Sequence, residues 1–160
     1  QTFTIDSTSA RQAVNMSSDD TAGILLRFNN GARATISISQ ISSGRKNSIN
    51  WEISGPEGSL AFDSENPEQL WIGHRGRANE LLHKDPGMLS ADAAKTAFYP
   101  GGHVEGFSET FRGLFERVYA DINNETESNS YPTFADGVKS LEVTDAIAQS
   151  SKNLAWVKIA

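Results

Sequence analysis

The chain has 160 residues, enough for one domain with a core and few for two, and its hydrophobic share of 38% is slightly low but not that of a disordered segment. Lys and Arg number 14 against 20 Asp and Glu, a net charge of −6, which argues against a general binder of nucleic acid or anionic membrane, since such binding needs a basic face. The absence of Cys excludes disulfides and thiolate chemistry, and the apolar runs are too short for a membrane-spanning helix or a signal-peptide core. Gln1 stands where a Met would open a complete reading frame, so a piece of a longer polypeptide is expected.

Thr2 to Ile5 alternates polar and apolar residues as a half-buried strand does, and Ser- and Asp-rich sequence follows up to Asp20. Ala22 to Phe28 reads as a strand, Asn29-Asn30-Gly31 as a hairpin turn, and Ala32 to Ile41 as the returning strand, with Ala34, Ile36 and Ile38 on one face and Thr35, Ser37 and Ser39 on the other. Ile49, Trp51 and Ile53 alternate in a third strand that places Trp51 among core positions, and Gly55-Pro56-Glu57-Gly58 turns the chain back into Leu60-Ala61-Phe62. Leu70-Trp71-Ile72 makes another strand. Short turns between such strands predict an antiparallel meander.

Gly73 to Phe98 is the least regular segment, with a strand expected around Leu81-Leu82 and a helical turn within Ala91 to Ala97. It reads as a loop over a cleft, and Arg75, Arg77 and Lys84 are read as charges that solvate it. Pro100-Gly101-Gly102 then breaks the chain before an amphipathic helix expected over Glu105–Ile122. Phe107, Phe111, Leu114, Phe115, Val118 and Ile122 form its apolar stripe, which is expected to face a core. After a polar linker, Thr133 with Asp136 has the spacing of a capping box, and a second helix should run to about Lys152. Asp145 is expected at its rim, in water, and Leu154 to Ile159 reads as a last strand. Asn15-Met16-Ser17 and Asn124-Glu125-Thr126 match the glycosylation acceptor pattern, which with no secretory signal is read as chance.

The order of these elements resembles the end of the glucose–fructose oxidoreductase/inositol dehydrogenase (Gfo/Idh/MocA) family. The residues that carry the resemblance are GGHVEGFSETFRGLFERVYADI, with an H-x-E-G-[FYW] entry to a helix at His103–Phe107, and DGVKSLEVTDAIAQS, a D-G-x-x-x-L-x-V-x-x-A-I-x-x-S helix. The segment Asp20 to Phe62, with its N-G turn and G-x-x-G-x-[LI] turn, is similar to the family's hairpin region. The resemblance implies an NAD(P)-dependent dehydrogenase of sugars, inositols or related polyols. This chain would be its single C-terminal substrate-side and oligomerisation domain, residues 1–160. The implied fold is α+β: an open, mixed, mainly antiparallel sheet with two long helices packed on one face, as in the C-terminal domain of glyceraldehyde-3-phosphate dehydrogenase. A cytoplasmic homo-oligomer, assembled through the open sheet face, is expected.

The departures from the family pattern set limits on the chain. It holds no G-x-G-x-x-G, so the phosphate-cradling turn is missing, and no Glu-Lys-Pro, so the family's usual catalytic lysine is absent. The positions four residues before His74, His83 and His103 are Leu70, Asn79 and Tyr99, so no Asp/His pair of the family's kind occurs. No catalytic, cofactor-binding or metal-binding residue is therefore assigned. NAD or NADP is expected to bind the Rossmann domain that this chain lacks, and the chain alone is expected to be inactive. The substrate-side candidates are His103, Tyr99, Glu105 and Trp71, with His103 hydrogen-bonding a sugar hydroxyl. Against this, Glu105 is also explained as a first-turn acid favoured by the helix dipole, and His103 as a locally satisfied loop residue. A stand-alone, non-catalytic α+β binding or assembly module is the alternative reading.

Overall fold

The computed structural model describes residues 17–123 and 131–159. The expected strand at Thr2–Ile5, both glycosylation patterns and most of the polar linker lie outside the described residues or run beyond them. The chain falls into two compact units, Gln1–Gly44 and Arg45–Ala160.

The first unit is a hairpin of β1 (Thr21–Arg27) and β2 (Arg33–Ser39). Leu26 faces Ala34, Ile24 faces Ile36 and Ala22 faces Ile38, so these apolar residues share one face, as the alternation in β2 predicts, while Leu25 lies opposite Thr35 on the other. The turn is wider than a two-residue loop. Gly31 N donates to the Phe28 carbonyl at 3.0 Å and Phe28 N to the Ala32 carbonyl at 3.0 Å, with Gly31 at φ 92°. Glycine takes that left-handed conformation without a Cβ clash.

The second unit holds a four-stranded antiparallel meander: β3 (Asn50–Ser54), β4 (Gly58–Asp63), β5 (Gln69–His74) and β6 (Glu80–His83), hydrogen-bonded in that order. Its register sorts the side chains into two faces. Trp51, Phe62, Leu70 and Leu82 form one row of the first face, and Ile53, Leu60 and Ile72 continue it. Glu52, Ala61, Trp71 and Leu81 form a row of the opposite face. The irregular segment after β5 does contain the strand and the helical turn expected there, as β6 and as α1 (Ala91–Ala94), which Ser90 Oγ caps by accepting from Ala93 N at 3.3 Å.

The long helices are α2 (Phe107–Ile122) and α3 (Phe134–Asn153). Thr133 caps α3 in the reciprocal manner that its spacing predicts: Asp136 N donates to Thr133 Oγ1 at 3.4 Å and Thr133 N to Asp136 Oδ2 at 2.9 Å. At α2 the N-cap is Gly106, which has no side chain to offer. Only the return half of such a box exists there, Gly106 N donating to Glu109 Oε2 at 2.8 Å.

Architecture is therefore α+β with antiparallel sheets, and every strand pair among the described residues is antiparallel. Among the described residues no strand is assigned over Leu154 to Ile159, where the sequence predicts one. Leu154 adopts φ 53° and ψ 40°, ending α3 in the left-handed region, and the residues after it pair with no strand among the described residues. Burial also departs from expectation. Among the described residues only Gly73 is fully buried, and the α2 stripe and Trp51 remain substantially exposed. Trp51 stacks on Phe62 with centroids 5.7 Å apart, yet its other side is open.

Candidate functional site

The loop that leads into α2 is built around a turn. His103 N donates to the Pro100 carbonyl at 3.2 Å, and Gly102 takes φ 82° at the third position, where a type II turn requires a left-handed residue. Gly101 lies against the Lys84 carbonyl and Asp85; a Cβ there would meet them at 3.5 and 3.6 Å, ordinary contact distances. The glycines bring the loop onto the chain just after β6.

An ion-pair node lies beneath this loop. Lys84 N donates to the Glu68 carbonyl at 2.8 Å, extending the β5–β6 ladder by one pair and setting a base opposite an acid. Lys84 Nζ stands 2.8 Å from Glu105 Oε1 and 3.2 Å from Glu68 Oε2, and it donates to the His103 carbonyl at 3.0 Å. Glu105 in turn accepts from the Tyr99 backbone N–H, and Glu105 N donates to Glu68 Oε1 at 2.7 Å. The three side chains are little exposed: Lys84 14%, Glu68 18% and Glu105 10%. Glu68 Oε2 receives the ammonium's charge without a well-directed hydrogen bond.

Electrostatics in the node follow from that geometry. Burial disfavours the Lys84 ammonium, but hydrogen bonds and attraction from Glu105 and Glu68 outweigh it and hold its pKa above the ordinary lysine value. Burial likewise disfavours the Glu105 carboxylate, and the Lys84 ammonium with the Tyr99 and Phe98 backbone N–H groups overcomes this, leaving its pKa below the usual range. Glu105 is thus a ligand of Lys84 and of the loop backbone. The first-turn acid at the helix start is Glu109 instead.

The sequence-level candidates divide. Tyr99, His103 and Glu105 share one loop; the Glu105 carboxylate is turned inward into the node, while His103 and Tyr99 are exposed at its rim. Beside them a groove of about 650 Å³ runs between the sheet and α2, lined among others by Phe62, Lys84, Phe98, Glu105, Phe111 and Leu114. Arg112 closes one side of Phe98, its guanidinium 4.1 Å from the ring centroid. Trp71 is not brought to this loop. It lies on the opposite sheet face, in a shallow groove of about 430 Å³ with Glu52, Gln69 and Leu81, its indole folded over Gly73.

Of the charges read as solvating the irregular segment, Arg77 pairs with Glu80 and Arg75 donates to the Pro56 carbonyl, both at the surface. Lys84 is the correction: two glutamates and a carbonyl hold it in the node. Nothing in the local sequence signals this, because the partners lie 16 and 21 positions away in the numbering, at Glu68 and Glu105. Asp145 is exposed, as its position on α3 predicts.

Around the start of α2, Glu105 N donates to Glu68 Oε1 and Gly106 N to Glu109 Oε2; at the start of α3, Thr133 N donates to Asp136 Oδ2 and Asp136 N to the Thr133 hydroxyl.

The model of the oxidoreductase family C-terminal alpha/beta domain (Gfo/Idh/MocA) matches residues 2–159. The chain belongs to this family. A levoglucosan dehydrogenase of Pseudarthrobacter phenanthrenivorans is 25% identical over 152 residues, 88% of this chain and 36% of that enzyme. The crystal structure of an oxidoreductase from Sinorhizobium meliloti superposes with a TM-score of 0.83 at 30% identity, covering 89% of this chain and 42% of the other. A levoglucosan dehydrogenase in complex with NADH and levoglucosan matches with a TM-score of 0.77 at 26% identity, over 89% of this chain and 39% of the enzyme. This Gfo/Idh/MocA chain thus spans well under half the length of these relatives.

Proposed function

We propose that the chain is the substrate-side domain of an NAD(P)-dependent dehydrogenase acting on a sugar, inositol or related polyol. The observation that carries the reading is the coincidence of two things: similarity to levoglucosan dehydrogenase over 88% of the chain, and a loop held by an internal ion-pair node that leaves His103 exposed at its rim. In this reading the imidazole of His103 binds a substrate hydroxyl. A neutral imidazole donates through one nitrogen and accepts through the other, which matches a hydroxyl that does both. Tyr99 flanks it, and Glu105 serves by fixing the loop. Hydride transfer is the chemistry the nicotinamide supplies when bound in the longer protein, outside these residues, and this chain alone is inactive.

Oligomerisation belongs to the same proposal, through the sheet face that carries Ala61, Trp71 and Leu81 in an open groove. No helix among the described residues is long and apolar enough to cross a membrane. A cytoplasmic location completes the reading.

The test is turnover. The longer protein, given NAD or NADP with a panel of inositols, aldoses and anhydrosugars, should reduce the nicotinamide with at least one of them. The 160-residue chain, titrated with NADH or NADPH in a calorimeter, should show no saturable binding below millimolar concentration. Micromolar binding by the chain, or no turnover with any polyol, would contradict the proposal.

A further inference from the structure

Lys84 lies outside the loop that bears His103, yet three of that loop's fixed points depend on it. Its ammonium donates to the His103 carbonyl at 3.0 Å and pairs with Glu105 Oε1 at 2.8 Å and Glu68 Oε2 at 3.2 Å. Glu105 and the His103 carbonyl lie within hydrogen-bond distance of the ammonium, and Glu68 Oε2 adds its charge at ion-pair distance. Each partner holds the loop elsewhere: Glu105 takes Tyr99 N, and Glu68 takes Glu105 N. The loop is therefore clamped at Tyr99, His103 and Glu105 by one charge on the end of a strand.

We propose that Lys84 is a positioning residue for the substrate-facing loop, setting where His103 meets a hydroxyl without touching the substrate itself. The proposal rests on the reading of His103 given above. Its physical basis is the charge count of the node, one cation between two carboxylates. Without the cation, Glu68 and Glu105 face each other unneutralised in a site that water barely reaches. At least one must then swing out, releasing the Tyr99 and Glu105 backbone N–H groups it held. The turn at Pro100–His103 keeps its own hydrogen bond, so the loop stays intact but loses its fixed seat.

The experiment uses the full-length enzyme with four substitutions, K84M, K84R, H103A and the pair K84M/H103A. Two readouts are taken: steady-state kinetics with the polyol that turns over, and amide hydrogen exchange. In K84M, exchange at the Tyr99 and Glu105 amides should quicken by about tenfold or more. KM should rise roughly three- to tenfold while kcat stays within about twofold. K84R, which keeps the charge, should recover most of both effects. On top of H103A, K84M should add little to KM, because both act through one contact. Where K84M lowers the yield of folded enzyme, E68Q serves in its place and should quicken exchange at the Glu105 amide first. Unchanged exchange in K84M, or a KM increase that adds in full to that of H103A, overturns the proposal. The two readings separate cleanly: if H103A leaves KM unaltered while K84M still frees the two amides, the hold of Lys84 on the loop stands and the role of His103 falls.

Discussion

The cost of trimming the α2 stripe should be graded, and the structure sets the order. A fully buried Phe→Ala change costs about 3–5 kcal/mol. Phe111 is 46% exposed and touches Phe107 and Phe115, with centroids 5.0 and 6.5 Å away. Scaling the full-burial cost by the covered half gives roughly 1.5–2.5 kcal/mol for F111A. Leu114 lies deeper in the groove and should cost about 2–3 kcal/mol as L114A. Phe107, 72% exposed, should cost about 1 kcal/mol, and Phe134, 99% exposed at the start of α3, about nothing, since alanine's better helix propensity offsets what little contact is lost. Urea denaturation of the 160-residue chain, followed by far-ultraviolet circular dichroism, checks the series, with shifts in midpoint at constant slope giving the differences. F107A as costly as L114A would refute the account of which side of α2 is covered, and a large cost for F134A would refute the exposure of Phe134 at the start of α3.

Two further outcomes follow from the geometry. The pKa of Glu105 lies below its unfolded value of about 4.3, so its contribution is present above that pH and lost as pH falls through the folded value; that of Lys84 lies above its unfolded value of about 10.4, so its contribution is full below that pH and lost as pH rises through the folded value. The gap in thermal midpoint between the parent chain and K84M should accordingly be flat from about pH 5 to 10 and shrink toward both ends; a gap that widens in acid would contradict the node. At Gly73 an added Cβ would lie 2.5 Å from Trp71 Cη2 and 2.8 Å from Cζ3, so G73A should push the indole off the strand for about 1 kcal/mol and shift the emission of Trp71 to the red in a background with Trp51 and Trp156 replaced by Phe. Unshifted emission would show that the ring does not lie over Gly73.

The elements most legible in the sequence were those whose pattern is local. Alternation at Ala34–Ile38 and Ile49–Ile53 gave strands with the faces seen in the pairing, and Thr133 with Asp136 marked the start of α3. Leu154 to Ile159 was expected as a strand from its apolar composition, whereas Leu154 ends α3 in the left-handed region and no strand is assigned to the residues after it among the described residues. The loop at His103 was legible as a candidate because glycines and a helix start adjoin it. Glu105 was legible only as an acid near that start, and its real partner was not. The Lys84 pairs join the residue after β6 to the residue before β5 and to the loop before α2, and no spacing within one segment encodes that. Trp71, a substrate-side candidate in the sequence, lies by strand parity on the opposite face of the sheet from Phe62, with Ala61 and Leu81.

The central claim is that this domain presents His103 to a polyol hydroxyl, and steady-state kinetics of H103A in the full-length enzyme test it most directly. Loss of one hydrogen bond to a neutral partner is worth about 0.5–1.5 kcal/mol, or up to roughly tenfold. Because the contact is made in the ground state and the transition state alike, KM should rise by that factor while kcat barely changes. Kinetics identical to the parent enzyme would contradict the account and leave the loop a device of helix entry and packing.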